Sequence, residues 1–321
     1  MSAAAGRTRT AYIHVGTHKT GTSSLQAMLA SNEAAFREAG VFVPHTGKLA
    51  PNLVGHHNIA WELRQDPRFD PSLGTLELLQ LEISKARSPV ICLTSEDFEF
   101  LSADEPALRR LRDSLIATGC QPRIIIFLRP QVDYVESLYA EIIKTHDVAF
   151  TAYLDAVLKS KSCGPFVFEY DRLVGAFANV FGKEHTIVRP YHFSDSAHLL
   201  QEFITIVAPS PMDLSRLPLP QRLNTRACYP DVIATRAQQL GRTVQFEMPA
   251  KRPFDPLNLL DIARIVLRFS RSNERLARAF GIRIGCVTAA RLAREVLTAL
   301  VRDHGSTHGK RLIRDLIQTE A

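Results

Sequence analysis

Along this chain the spacing of apolar residues changes again and again, and the changes mark out its elements. Ala11-Tyr12-Ile13-His14-Val15 is a β-favouring run that breaks at Gly16. After the loop from Thr17 to Thr22, apolar residues recur at Leu25, Met28 and Leu29, which is helical spacing. Val41-Phe42-Val43, stopped by Pro44, predicts a second short strand, and residues 45–60, rich in His, Gly and Asn, predict a loop. Leu76 to Ala86 is periodic like a helix and leads into Pro89-Val90-Ile91-Cys92-Leu93-Thr94, a third strand. Ala107 to Ala117 predicts a helix, followed by Arg123-Ile124-Ile125-Ile126-Phe127-Leu128, the strongest strand signal in the chain. Such an unbroken apolar run implies burial on both faces, as in a parallel sheet. Pro130 suits the first turn of the next helix, which continues through Val135, Leu138, Ile142 and Ile143. Thr186 to Pro190 predicts one more strand and Leu199 to Val207 one more helix.

Strands alternating with helices predict an α/β fold of three layers around a central parallel sheet, with right-handed crossovers. The proline-rich stretch from Pro209 to Pro220 marks a boundary beyond which the strand signal fades. Pro230 to Leu240, Leu257 to Phe280 and Ala289 to Val301 predict a mostly helical C-terminal region. Leu259 to Phe280 carries arginine on one face and aliphatic residues on another, the pattern of a packed helix with a wet side and not of a membrane helix. The expected organisation is a flexible tail at 1–10, an α/β core at 11–208, and a helical extension of the same domain at 209–321. No internal repeat or low-complexity tract interrupts it.

Composition narrows the picture further. At 321 residues, with 45% hydrophobic and 22% charged, the chain can bury a large core, which excludes wholesale disorder. A formal charge of +6 suits an anionic ligand without calling for nucleic acid or a membrane surface. Cys92, Cys120, Cys163, Cys228 and Cys286 are scattered with no metal-type spacing, so they read as reduced thiols of a cytoplasmic protein. Residues 1–10 contain no apolar signal core, and no run is long enough to cross a bilayer, so stable membrane insertion is not expected.

The most informative stretch is Gly16-Thr17-His18-Lys19-Thr20-Gly21-Thr22-Ser23-Ser24, between the first strand and the first helix. Small residues there let backbone N–H groups converge on an anion, and the helix N-terminus adds partial positive charge. Lysine supplies a full charge, and the Thr and Ser hydroxyls supply further donors. A nucleotide triphosphatase loop places lysine directly after its second glycine. Here Thr22 follows Gly21, and Lys19 stands two residues before it. The bland alternative is a loop capped by Thr and Ser with a solvated lysine.

With Lys19 ahead of the Gly21-Thr22 pair, the sequence resembles the sulfotransferases that use 3′-phosphoadenosine 5′-phosphosulfate (PAPS). The whole run His14-Val15-Gly16-Thr17-His18-Lys19-Thr20-Gly21-Thr22-Ser23-Ser24-Leu25-Gln26 is similar to bacterial members of that superfamily. The resemblance implies a P-loop NTPase-like fold, PAPS as co-substrate, and a 5′-phosphosulfate held by Gly16, Thr17, His18, Lys19, Thr20, Gly21, Thr22 and Ser23. Lys19 would stabilise the departing 5′-phosphate and the sulfuryl oxygens, with no metal needed. It also asks for a strand ending in arginine with a serine eight residues on, to hold the 3′-phosphate. Arg129 and Ser137 answer that demand. Arginine can grip phosphate bidentately, and the carboxyl ends of parallel strands are where ligands collect.

Sulfuryl transfer also needs a base for the acceptor hydroxyl or amine. Glu96, in Thr94-Ser95-Glu96-Asp97 after the third strand, is one candidate; His57 and its neighbour His56 are the other. By resemblance a carbohydrate or glycolipid acceptor is expected, with a lipid or small metabolite as the alternatives. Arg222, Arg226, Lys251 and Arg252 form a basic group that either closes over the cofactor or is a solvated rim. The rival reading is a small-molecule or nucleotide kinase built on the same loop, needing ATP and magnesium. A nucleic-acid-binding module on the basic surface is the remaining alternative.

Overall fold

The computed structural model describes residues 9–49, 54–191, 196–212, 217–218, 256–284 and positions 234, 237, 238 and 241. By its internal contacts the chain divides into two compact units, one of residues 1–128 and 172–225, the other of residues 129–171 and 226–321.

The first unit is built on a five-stranded parallel sheet. Its strands are β1 (Arg9–His14), β2 (Val41–Phe42), β3 (Val90–Thr94), β4 (Cys120–Leu128) and β7 (Thr186–Pro190), in the order β2-β3-β1-β4-β7. β1 lies between β3 and β4, with His14 opposite Thr94 on one side and Ile125 on the other. The hydrophobic run of β4 is explained by burial on both faces. Ile125 and Phe127 join a core with Leu25, Met28 and Leu29 of α1 (Thr22–Ser31) and Leu199, Leu200, Phe203 and Ile204 of α9 (Ser196–Val207). Ile124, Ile126 and Leu128 alternate to the other face and are equally buried, and α5 (Glu105–Ala117) packs on β4. Fully burying each of these side chains contributes about 1.5–3 kcal/mol of transfer free energy. This is a three-layer α/β fold with a central parallel sheet.

Two departures from the sequence pattern are local. β1 starts at Arg9, inside the stretch expected to be a tail, because the Arg9 guanidinium finds the carbonyls of Ser88, Thr118 and Ile83. Residues 45–60 are not all loop: α3 (His57–Arg64) begins at His57, hidden in the sequence by the polar Asn58 and by its length of only 8 residues. The short α2 (Glu33–Glu38) follows α1, and α4 (Leu76–Lys85) lies where expected, capped by the Thr75 hydroxyl.

The second unit contains α6 (Gln131–Ile142), α7 (Phe150–Ser160), a small antiparallel hairpin of β5 (Ser162–Cys163) and β6 (Phe166–Val167), and α10 (Leu259–Phe280). α8 (Tyr170–Phe181) starts in this unit and continues into the first. α10 packs on α6 and α7. Phe269 stacks on Phe168, and the amides of Gln131 and Asn273 exchange two hydrogen bonds of 2.9 and 3.1 Å. The helices expected at 289–301 and over most of 230–240 lie outside the described residues, as do Cys228 and Cys286.

Candidate active site

The loops that follow β1 and β3 and the segment before α3 converge at the carboxyl end of the sheet. The first is tied down by backbone: Val15 N–H donates to Ile125 O, Thr17 N–H to Phe127 O at 2.9 Å, and Phe127 N–H to Gly16 O at 2.7 Å. The Thr20 hydroxyl closes the turn onto the Thr17 carbonyl. Gly16 has φ 89° and lies so near the neighbouring loop that a Cβ there would sit 3.3 Å from Glu96 Cβ. Gly21 has φ 77°, and a Cβ on it would strike Leu199 at 2.7 Å. Both positions need glycine for conformation and for space.

Gly21 is also the residue before α1, so this helix has no side-chain cap and no acidic residue in its first turn. α4 and α5 differ: Thr75 and Asp104 cap them through their side chains. The first N–H groups of α1 therefore lack the side-chain acceptor that Thr75 and Asp104 supply to α4 and α5. The hydroxyl of Thr22 is buried with no hydrogen-bond partner among the described residues. An orphaned hydroxyl, a helix start without a side-chain cap and, two residues before Gly21, Lys19 in a left-handed turn at φ 63° are donors of the kind that hold an anion.

Beside this loop is a chain of buried acids and histidines. Glu99, fully buried, accepts on Oε2 from both the backbone N–H and the ring Nδ1 of His18, each at 2.8 Å. His18 Nε2 is 3.7 Å from Asp97 Oδ1. The other oxygen of Asp97 accepts from Trp61 Nε1 at 2.7 Å and faces His57 Nδ1 at 3.1 Å. Ser95 Oγ lies 2.9 Å from the same ring nitrogen and accepts from Asp97 N–H. His57 Nε2 is 4.0 Å from Glu96 Oε2, which accepts from Gln26 Nε2 of α1 at 3.1 Å. Gly55 leaves room for this: a Cβ there would lie 2.6 Å from His57 Nε2.

The electrostatics follow from that geometry. Burial alone would lower the pKa of His18, but the carboxylates of Asp97, Glu99 and Glu96 overcome it and raise it to about 9, so its imidazole carries charge at neutral pH. Burial would raise Asp97, and its contacts with His18 and His57 outweigh that, holding it well below the usual carboxylate range.

The adjacent His56 has the opposite environment. It is fully buried, its Nε2 donates to Pro44 O at 2.9 Å, and its Nδ1 accepts from Thr94 N–H at 3.1 Å. Burial, with Lys48 adding to it, lowers its pKa to about 3. Both nitrogens of this neutral ring are engaged by backbone.

Gly16, His18, Glu96 and His57 thus meet in the first unit. Arg129 and Ser137 belong to the second unit. Arg129 is the residue after β4, is 6% exposed, and its carbonyl accepts from the Tyr170 hydroxyl at 2.6 Å; Ser137 is half-buried on α6. Arg222, Arg226, Lys251 and Arg252 lie outside the described residues. Sequence reasoning did not single out Asp97, Glu99, Trp61 or Gln26. The available signal was the density of acids in Glu96-Asp97-Phe98-Glu99, directly after a buried strand. Among the described residues no group of His, Cys, Asp and Glu could hold a metal ion, and no helix is long and apolar enough to cross a membrane.

The fold has known counterparts. A sulfotransferase from Alicyclobacillus acidocaldarius superposes with a TM-score of 0.50 at 14% identity, covering 88% of this chain and 99% of that one. Mouse sulfotransferase SULT7A1, complexed with PAP, matches with a TM-score of 0.37 at 14% identity, covering 96% of this chain and 89% of that one. No family model and no curated protein matches the sequence. The chain has the fold of a sulfotransferase.

Proposed function

We propose that this chain, with its sulfotransferase fold, transfers the sulfuryl group of PAPS to a hydroxyl or amine of an acceptor. The observation that carries the reading is the anion cradle: an uncapped α1, the unpartnered Thr22 hydroxyl and a lysine placed ahead of Gly21. In this reading the loop from Gly16 to Ser23 encloses the 5′-phosphosulfate. Lys19 neutralises charge as the bridging oxygen departs, where a positioned cation is most effective. Arg129 and Ser137 are assigned to the 3′-phosphate from their sequence spacing.

His57 is the proposed base. Asp97 accepts from Nδ1–H, which leaves the lone pair on Nε2, the nitrogen facing Glu96. As the acceptor oxygen bonds to sulfur, its proton passes to His57 Nε2. The old S–O bond breaks, and 3′-phosphoadenosine 5′-phosphate (PAP) leaves with its electrons. Glu96, whose Oε2 is 4.0 Å from Nε2, stabilises the imidazolium that forms. One observation favours the reverse assignment, with Glu96 as base: its side chain is 23% exposed against 9% for His57. His56, whose nitrogens are both engaged by backbone, takes no part. A glycan or glycolipid acceptor and a cytoplasmic setting complete the proposal.

The test is PAP release from PAPS, in chelator, with a panel of glycans. Turnover that disappears in His57→Asn but survives in Glu96→Gln supports His57 as base. The converse pattern assigns the proton to Glu96, and no turnover with any acceptor removes the carbohydrate assignment.

A further inference from the structure

A fully buried carboxylate costs several kcal/mol unless it is paired, and Glu99 is 0% exposed. What pairs it is a single residue of the phosphate loop. Oε2 takes two bonds from His18, one from the backbone and one from the ring, while Oε1 has no hydrogen-bond partner among the described residues. A group needed only for packing would be an apolar side chain here. The ring of His18 is further fixed by Phe100, stacked at 4.7 Å with an interplanar angle of 22°, and the Arg64 guanidinium lies 4.8 Å from the centre of the same Phe100 ring. His18 is the residue before Lys19, so whatever fixes its backbone N–H sets the turn that presents the lysine.

We propose that Glu99 is a positioning residue of the phosphate loop, holding it through His18 in the shape that receives an anion and keeping the His18 imidazolium beside Lys19 as a second fixed cation. This rests on the reading of the loop as a phosphosulfate site and adds to it a residue that touches no ligand. Because the His18 N–H is held by Glu99, it is withdrawn from the donors offered to the anion. The Thr22 hydroxyl and the first N–H groups of α1 are not engaged by Glu99 in this way. The charged groups facing His18 are Glu96, Asp97 and Glu99 from the segment after β3, with Lys19 adjacent in its own loop. His57 shares the Asp97 carboxylate, and Arg64 is stacked on Phe100. The raised pKa of His18 agrees with this arrangement.

The experiment is calorimetric titration of PAP into wild type, Glu99→Gln, His18→Asn and the double variant, with the His18 ring followed by NMR. Each single change is expected to weaken PAP binding about tenfold, the loss of one bond to a charged group. KM for PAPS should rise more than kcat falls. The double variant should bind no worse than the weaker single, and in Glu99→Gln the His18 ring should lose its proton at lower pH. Should Glu99→Gln fail to fold, His18→Asn, at a half-buried loop position, tests the same link. Wild-type affinity in Glu99→Gln, or single losses that add in full, would overturn the role of Glu99 while leaving the phosphosulfate reading intact. A wild type that binds no PAP overturns that reading itself.

Discussion

The two ends of the central sheet treat charge differently. At the amino end Arg9 reaches three backbone carbonyls, that of Ile83 in α4 and those of Ser88 and Thr118 beyond α4 and α5, all in the same unit. At the carboxyl end His18, His57, Glu96, Asp97 and Glu99 bind one another, and their neighbour Thr22 keeps an unpartnered buried hydroxyl. The first arrangement closes a structure. The second maintains a strained loop, an uncapped helix and buried ions, each of which costs stability, and such costs gather at functional sites.

That contrast can be broken in order of expected effect. Lys19→Ala should lower sulfuryl transfer by about a thousandfold, the scale for removing one preorganised stabiliser of developing charge, while thermal unfolding stays near wild type. His57→Asn should lower kcat by about a hundredfold or more with little change in PAP affinity, measured by steady-state kinetics and titration. Arg9→Ala should do the opposite: a loss of about 1–3 kcal/mol in denaturant unfolding with turnover per folded molecule unchanged. If Arg9→Ala abolished turnover in folded protein, the division between the ends would be wrong.

Stability against pH sharpens the same comparison. Burial lowers His14, and burial with Lys48 lowers His56, each to about 3 from 6.5. Both must take up protons to unfold in acid, so their contribution is full above 6.5 and is lost as pH falls toward 3. His18, raised from 6.5 to about 9, contributes fully below 6.5 and loses that contribution as pH rises through about 9. Unfolding free energy should therefore decline on both sides of a neutral maximum. In His18→Asn the alkaline decline should shrink and the acid one persist.

Much of the fold was legible because β4 is apolar at nearly every position and the glycines of 16–21 fall between a strand and a helix. Both signals are local in the chain. α3 was not legible: with 8 residues and a polar start its helical period is short, and His57 read as loop. Asp97 and Glu99 could be seen as acids but not as partners, since their contacts with His57 and His18 span 40 and 81 positions. Nothing in the sequence separates His56 from His57 either. One ends up held by backbone at both nitrogens and the other by Asp97, a difference made by where the backbone of Pro44 and of β3 passes.

The central claim is that the cradle at α1 receives the 5′ end of a 3′-phosphorylated adenine nucleotide. Its most direct measurement is the thermal shift of wild type and Lys19→Ala with PAP, compared with ATP and magnesium. The account predicts stabilisation of wild type by PAP in chelator, a clearly smaller shift in Lys19→Ala, and little response to ATP. Stronger stabilisation by ATP and magnesium than by PAP would contradict it and point to a kinase.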